Sequence, residues 1–126
     1  MVVAHHPIDL PASMEHALVG RARRAIKMLT DCGVDLILSG HLHVPQLAAP
    51  AERLRIGGHT AVLVQAGTAI STRSRGEGNS FNVIETAESR VVIHKRAWEP
   101  ETCDFTEVVT VAYHRSPAGW LRVSSS

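Results

Sequence analysis

The sequence predicts an α/β fold: a βαβ unit followed by a mostly antiparallel sheet. Three observations carry this. A short apolar run, Met1-Val2-Val3-Ala4, and a second, Val34-Asp35-Leu36-Ile37-Leu38, bracket a stretch of helical periodicity. The whole strand, helix and strand arrangement takes about forty residues, the length of a unit whose two strands lie parallel and are joined right-handedly. From Pro45 onward, short β-prone runs alternate with glycine-rich and polar turns.

The first strand is β-branched and stops at His5-His6-Pro7, because proline cannot continue the ladder. A chain opening directly in a core strand suggests a truncated domain. The helix is expected after Pro11, capped by Ser13, with Glu15 in its first turn. Met14, Leu18, Ala22, Ala25 and Leu29 recur at spacings of three and four, so one face is apolar, and Gly33 suits a left-handed C-terminal cap. The second strand is closed by Ser39-Gly40-His41-Leu42-His43. Further strands are expected around 54–56, 61–65, 81–85, 90–96 and 105–113, with turns at Gly57-Gly58, Gly67-Thr68, 75–79 and 87–89. The domain spans 1–115, and the tail 116–126 is expected to fray.

With 126 residues the chain supports one core, and 44% hydrophobic against 20% charged residues argues against disorder. A formal net charge of +1 sets up no field for nucleic acid or a membrane, so neither is an expected partner. The four cations between Arg21 and Lys27 read as a solvated helix face. Cys32 and Cys103 are far apart and form no Cys-x-x-Cys pair, which suits a reducing, cytoplasmic setting. No apolar run approaches the ~18 residues of a membrane span.

Histidine is the outlier: eight are present, four of them in two short motifs. Both motifs fall at the carboxyl ends of the expected parallel strands, where open α/β sheets place their ligand sites. In extended backbone His41 and His43 share a face, and His5 would reach them from the neighbouring strand end. Three imidazoles approach the minimum donor set of a catalytic metal. His16, His59, His94 and His114 are isolated and read as ordinary solvated or hydrogen-bonded side chains. Arg73 and Arg75 lie in a loop after Ala66-Gly67-Thr68, either solvated or reaching a phosphate near the site.

The run Val2-Val3-Ala4-His5-His6-Pro7, the connection after it, and Leu38-Ser39-Gly40-His41-Leu42-His43 resemble the last two motifs of calcineurin-like metallophosphoesterases. Residues 65–69 and 79–84 resemble the strands that follow those motifs in bacterial members, some of them cyclic-nucleotide phosphodiesterases. The resemblance implies the C-terminal half of an αββα sandwich and a site for two divalent ions, Mn, Fe or Zn. It makes His5 and His41 ligands of one ion and His43 a ligand of the other. A hydroxide activated by the two metals would attack a phosphodiester or phosphomonoester. Adjacent residues on a strand face opposite ways, so His6 would line the rim in support of catalysis or simply be solvated, and Arg73 and Arg75 would bind substrate.

The earlier motifs of that family, Asp-x-His, Gly-Asp and Gly-Asn-His, do not occur in this sequence. Two metals need about eight to twelve ligand positions, several of them carboxylate. Three histidines supply three, enough for one loosely held ion or none. Three explanations fit: a fragment of a longer gene, a chain that pairs with a separate N-terminal half, or a non-catalytic remnant. In the last case a second copy or another protein would associate through an exposed sheet edge.

Overall fold

Two four-stranded sheets face each other, with a helix on the outer side of the first. The computed structural model describes residues 1–8, 20–40, 51–56, 59–71, 78–117 and 119–123. In chain order the elements are β1 (Val2–Val3), α1 (Ala22–Asp31), β2 (Leu36–Ser39), β3 (Ala51–Ile56), β4 (His59–Gln65), β5 (Ser80–Ala87), β6 (Arg90–Glu99), β7 (Asp104–Ser116) and β8 (Gly119–Val123). The first sheet runs β1-β2-β4-β3 and the second β5-β6-β7-β8.

The βαβ unit forms as expected, with β1 parallel to β2, Val2 beside Ile37 and Val3 beside Leu38. The mostly antiparallel sheet expected after it forms as well, while the first two strands beyond the unit complete the first sheet. Strand β4 joins the first sheet parallel to β2, β3 pairs antiparallel to β4, and only β5 to β8 make the second, antiparallel sheet. The reason lies in which faces are apolar. Val62 and Val64 pack between the sheets with Leu36, Val91, Ile93, Val111, Tyr113 and Trp120, while Ala61 and Leu63 pack on the helix side with Ile8, Ile37, Ile26 and Leu29. A strand apolar on both faces belongs in the middle of a covered sheet.

Two expectations are corrected. The predicted helical stretch is interrupted by a turn at Gly20 and Arg21, in which Arg21 takes φ 60, and α1 runs from Ala22; the expected start after Pro11 lies outside the described residues. The expected cap Ser13 lies outside the described residues. Gly33 does adopt φ 65 after the helix, as the left-handed cap requires. The tail does not fray at 116, since Gly119–Val123 pairs with Ala112–Ser116 as β8 and sends Trp120 into the core at 3% exposure. Burying one such aromatic contributes about 3 kcal/mol, which adds to the pairing with β7 in holding the strand. Among the described residues no helix is long and apolar enough to cross a membrane.

Polar contacts tie the sheets at the amino end of β2 and β4. Asp35 accepts hydrogen bonds from the Arg115 guanidinium and from Trp120 Nε1 at 3.0 Å, and the guanidinium lies 5.5 Å from the Trp120 ring centre. The backbone N–H of Trp120 donates to Thr60 Oγ1.

The outer face of the second sheet carries a cross-strand cluster around His94, a histidine that looks isolated along the sequence. Thr110 Oγ1 donates to Glu107 Oε1 at 2.6 Å, so its oxygen can only accept from the imidazole. His94 Nδ1–H is therefore shared between Thr110 Oγ1 and Glu107 Oε2, both at 3.0 Å. The Thr110 hydrogen bond, with the bond and charge of His94 and the charge of Arg96, holds the Glu107 carboxyl below its ordinary range. A depressed carboxyl stabilises the fold above its unfolded pKa and loses that contribution as pH falls through the lower folded value. Between about pH 5 and 3 the urea midpoint of the native chain is expected to fall more than that of Glu107→Gln. Parallel pH profiles for the two would show that the cluster does not form in solution.

Candidate metal site at the carboxyl ends of the parallel strands

Hydrogen bonds extend the parallel ladder beyond the strands themselves. Ala4 N–H donates to the Leu38 carbonyl at 2.9 Å, Gly40 N–H to the His5 carbonyl at 3.1 Å, and Ala66 N–H to the Ser39 carbonyl at 2.7 Å. His5, Gly40 and Ala66 thus stand side by side where β1, β2 and β4 end, the edge that such sheets use for ligands. The stretch His41-Leu42-His43 leaves from this point, and both of its histidines lie outside the described residues.

His5 and His6 are both exposed, and their rings meet edge to face with centroids 5.0 Å apart. The expectation that adjacent residues face opposite ways, leaving His6 at the rim, holds for extended chain. Here β1 ends at Val3 and the backbone bends at His5-His6, so the two imidazoles come together. Pro7 and Ile8 then bury themselves, Ile8 against Ile37 and Ala61, which anchors the bend from behind.

Arg73 and Arg75 also lie outside the described residues, but the chain on either side of them is pinned to the same edge. Ser71 N–H donates to Asn79 Oδ1 at 3.2 Å, and Ser80 N–H donates to the Thr68 carbonyl at 2.9 Å. Asn82 Nδ2 donates to the Gln65 carbonyl at 2.9 Å, joining β5 to the end of β4. Sequence reasoning misses this asparagine, and it misses Ser39 and Gln65, the polar last residues of β2 and β4. Their only signal is a polar residue closing an otherwise apolar strand.

The donor set suits an imidazole-ligated divalent ion, since neutral imidazole nitrogen binds Mn, Fe and Zn alike. Among the described residues no three His, Cys, Asp or Glu side chains converge on one point. Asp35 sits at the opposite end of β2, engaged by Arg115 and Trp120. The described part of this edge therefore offers nitrogen donors without a bridging carboxylate.

No protein-family profile and no curated protein matches the chain. Among solved structures it is similar to Vps29. A single-mutant form of Vps29 from Entamoeba histolytica is 21% identical, covering 72% of this chain and 47% of that one, with a TM-score of 0.43. Vps29 from Chaetomium thermophilum is 14% identical over 78% of this chain and 51% of that one, at a TM-score of 0.47. The wild-type Entamoeba histolytica protein complexed with zinc is 22% identical over 72% and 47%, at 0.42. The chain thus spans about half the length of the structures it matches.

Proposed function

We propose that the chain carries the C-terminal, imidazole-donating part of a metal-dependent phosphohydrolase site. The observation that supports this reading most is the hydrogen bond from Gly40 N–H to the His5 carbonyl, 3.1 Å, which sets one candidate ligand beside the origin of the His-x-His stretch. His5, His41 and His43 would hold the metal, His6 would assist at the rim, and Arg73 and Arg75 would engage phosphate oxygens. Divalent ions bound there would polarise phosphoryl oxygens and lower the pKa of a water. What the chain itself contributes is neutral nitrogen donors, an open edge that admits substrate, and paired cations that fit a dianionic or monoanionic phosphoester. A two-metal site would draw its carboxylates from an N-terminal half supplying the absent motifs.

Calorimetric titration of Mn²⁺ or Zn²⁺ into the chain tests the ligand assignment. The expected result is binding of one ion, weakened at least about tenfold by His5→Ala, His41→Ala or His43→Ala. Hydrolysis of bis(p-nitrophenyl) phosphate is expected only once a polypeptide bearing Asp-x-His, Gly-Asp and Gly-Asn-His is added. It should vanish with a chelator or with His41→Ala. Metal binding indifferent to all three substitutions would overturn the reading.

A second reading, a non-catalytic interaction module, is favoured by a different observation. Among the described residues β1 is paired on one side only, and Met1 and Val3 are 76% and 70% exposed. Unpaired apolar edges recruit further strands. On this reading sedimentation equilibrium gives a dimer or a hetero-complex that persists in the His41→Ala variant. A monomer at all accessible concentrations, unresponsive to any partner half, would remove it.

A further inference from the structure

Ser39 and Gln65 end β2 and β4 and are register partners. Neighbours on parallel strands project to the same face, and alternation from Ile37, Ala61 and Leu63 assigns theirs to the helix side of the sheet. Ser39 is 5% exposed, and both its Oγ and the Gln65 Nε2 are buried without a hydrogen-bond partner. Their carbonyls are occupied by Ala66 N–H and Asn82 Nδ2, so backbone and side chain do not compete. A buried hydroxyl or amide left unpaired lowers the folding constant about tenfold, and two such groups side by side compound the loss. Native interiors resolve such pairs with an ordered water making about three hydrogen bonds.

We propose that Ser39 and Gln65 hold one internal water between the ends of β2 and β4, directly behind the histidine-bearing edge. The chemistry selects water over other occupants. A hydroxyl and a carboxamide carry no charge to hold a cation or a phosphate, and both atoms are closed off from solvent, which excludes a larger occupant. The Gln65 amide donates to the water oxygen, the water donates one hydrogen to Ser39 Oγ, and its second hydrogen is left for a third acceptor. Ser39 immediately precedes Gly40, so the water stiffens the strand end from which His41-Leu42-His43 departs. That consequence rests on the proposed metal site; the water itself does not.

The test compares Ser39→Ala, Gln65→Leu and the double variant by urea unfolding of the full chain. It is joined to a search by NMR for a nuclear Overhauser effect from a long-lived water to the Gln65 side-chain amide. With the water present, each single variant strands a hydrogen-bonding group and lowers the folding constant about fivefold or more. The double variant loses less than the two singles combined. If the groups were simply unpaired, Ser39→Ala would raise stability instead, and that result overturns the proposal. So does a wild-type spectrum without the water contact, or a crystal structure showing a protein group in the water's place. None of these readouts involves metal or turnover, so a failed metal site leaves the outcome unaffected.

Discussion

Val62→Asp is expected to leave the chain without a cooperative unfolding transition. Val62 is 0% exposed, in a strand flanked by β2 and β3, with its side chain between the sheets among Leu36, Ile93 and Tyr113. A carboxylate there loses the burial free energy of valine, about 2 kcal/mol, and adds a desolvation penalty of several kcal/mol with no partner to offset it. Taking up a proton reduces the second term and leaves an unpaired buried acid in its place. A loss of about 5 kcal/mol or more compares with a total stability of about 5–15 kcal/mol for a domain of this kind. Val83→Asp makes the same chemical change at a site 40% exposed on the outer face of the second sheet, where the expected shift is about 0.5 kcal/mol. Far-ultraviolet circular dichroism in urea distinguishes them. Similar midpoints for the two variants would mean that the sheets do not pack through Val62.

The second large effect is expected at Gly119, where β8 begins. Its φ of 96 lies in the left-handed region, and a Cβ there would stand 1.9 Å from Thr60 Oγ1 and 3.1 Å from the Thr60 backbone nitrogen. Thr60 is 2% exposed, and its hydroxyl accepts the Trp120 N–H, so it cannot swing away without breaking the tie between the sheets. Backbone strain of about 1–2 kcal/mol and overpacking of about 1–3 kcal/mol put Gly119→Ala near 3 kcal/mol of lost stability. Gly33→Ala provides the comparison: φ is 65, but no atom lies within 4 Å of where the alanine methyl would stand, so only the strain applies. Urea midpoints for the two should differ by the overpacking contribution. Equal losses would mean that the β7–β8 turn does not seat against Thr60.

Much of the fold is legible along the chain. Each expected strand from 54–56 to 105–113 falls within an observed strand, because alternation and turn residues are local signals. Sheet membership is not legible. Ala61–Gln65 reads equally well as an edge or a central strand, and its place beside β2 emerges only when both of its apolar faces find cover. The turn at Gly20-Arg21, with Arg21 at φ 60, interrupts the apolar spacing just before α1, and nothing in the spacing announces it. His94 looks isolated in the sequence because its partners, Glu107 and Thr110, are 13 and 16 residues away and meet it only through the β6–β7 register.

For the candidate site, the sequence by itself determined the approach of His5 to Gly40. Two short apolar strands joined through a helix must pair in parallel, and their carboxyl ends must then meet. The tertiary structure alone decided that Ser39 and Gln65 are register partners with buried side-chain polar atoms, that Asn82 bridges from the second sheet, and that Trp120 brings the tail into the core. The physical reason is range. Strand, turn and helix signals are written in neighbouring residues, whereas burial and pairing between distant segments depend on which apolar faces exclude water together.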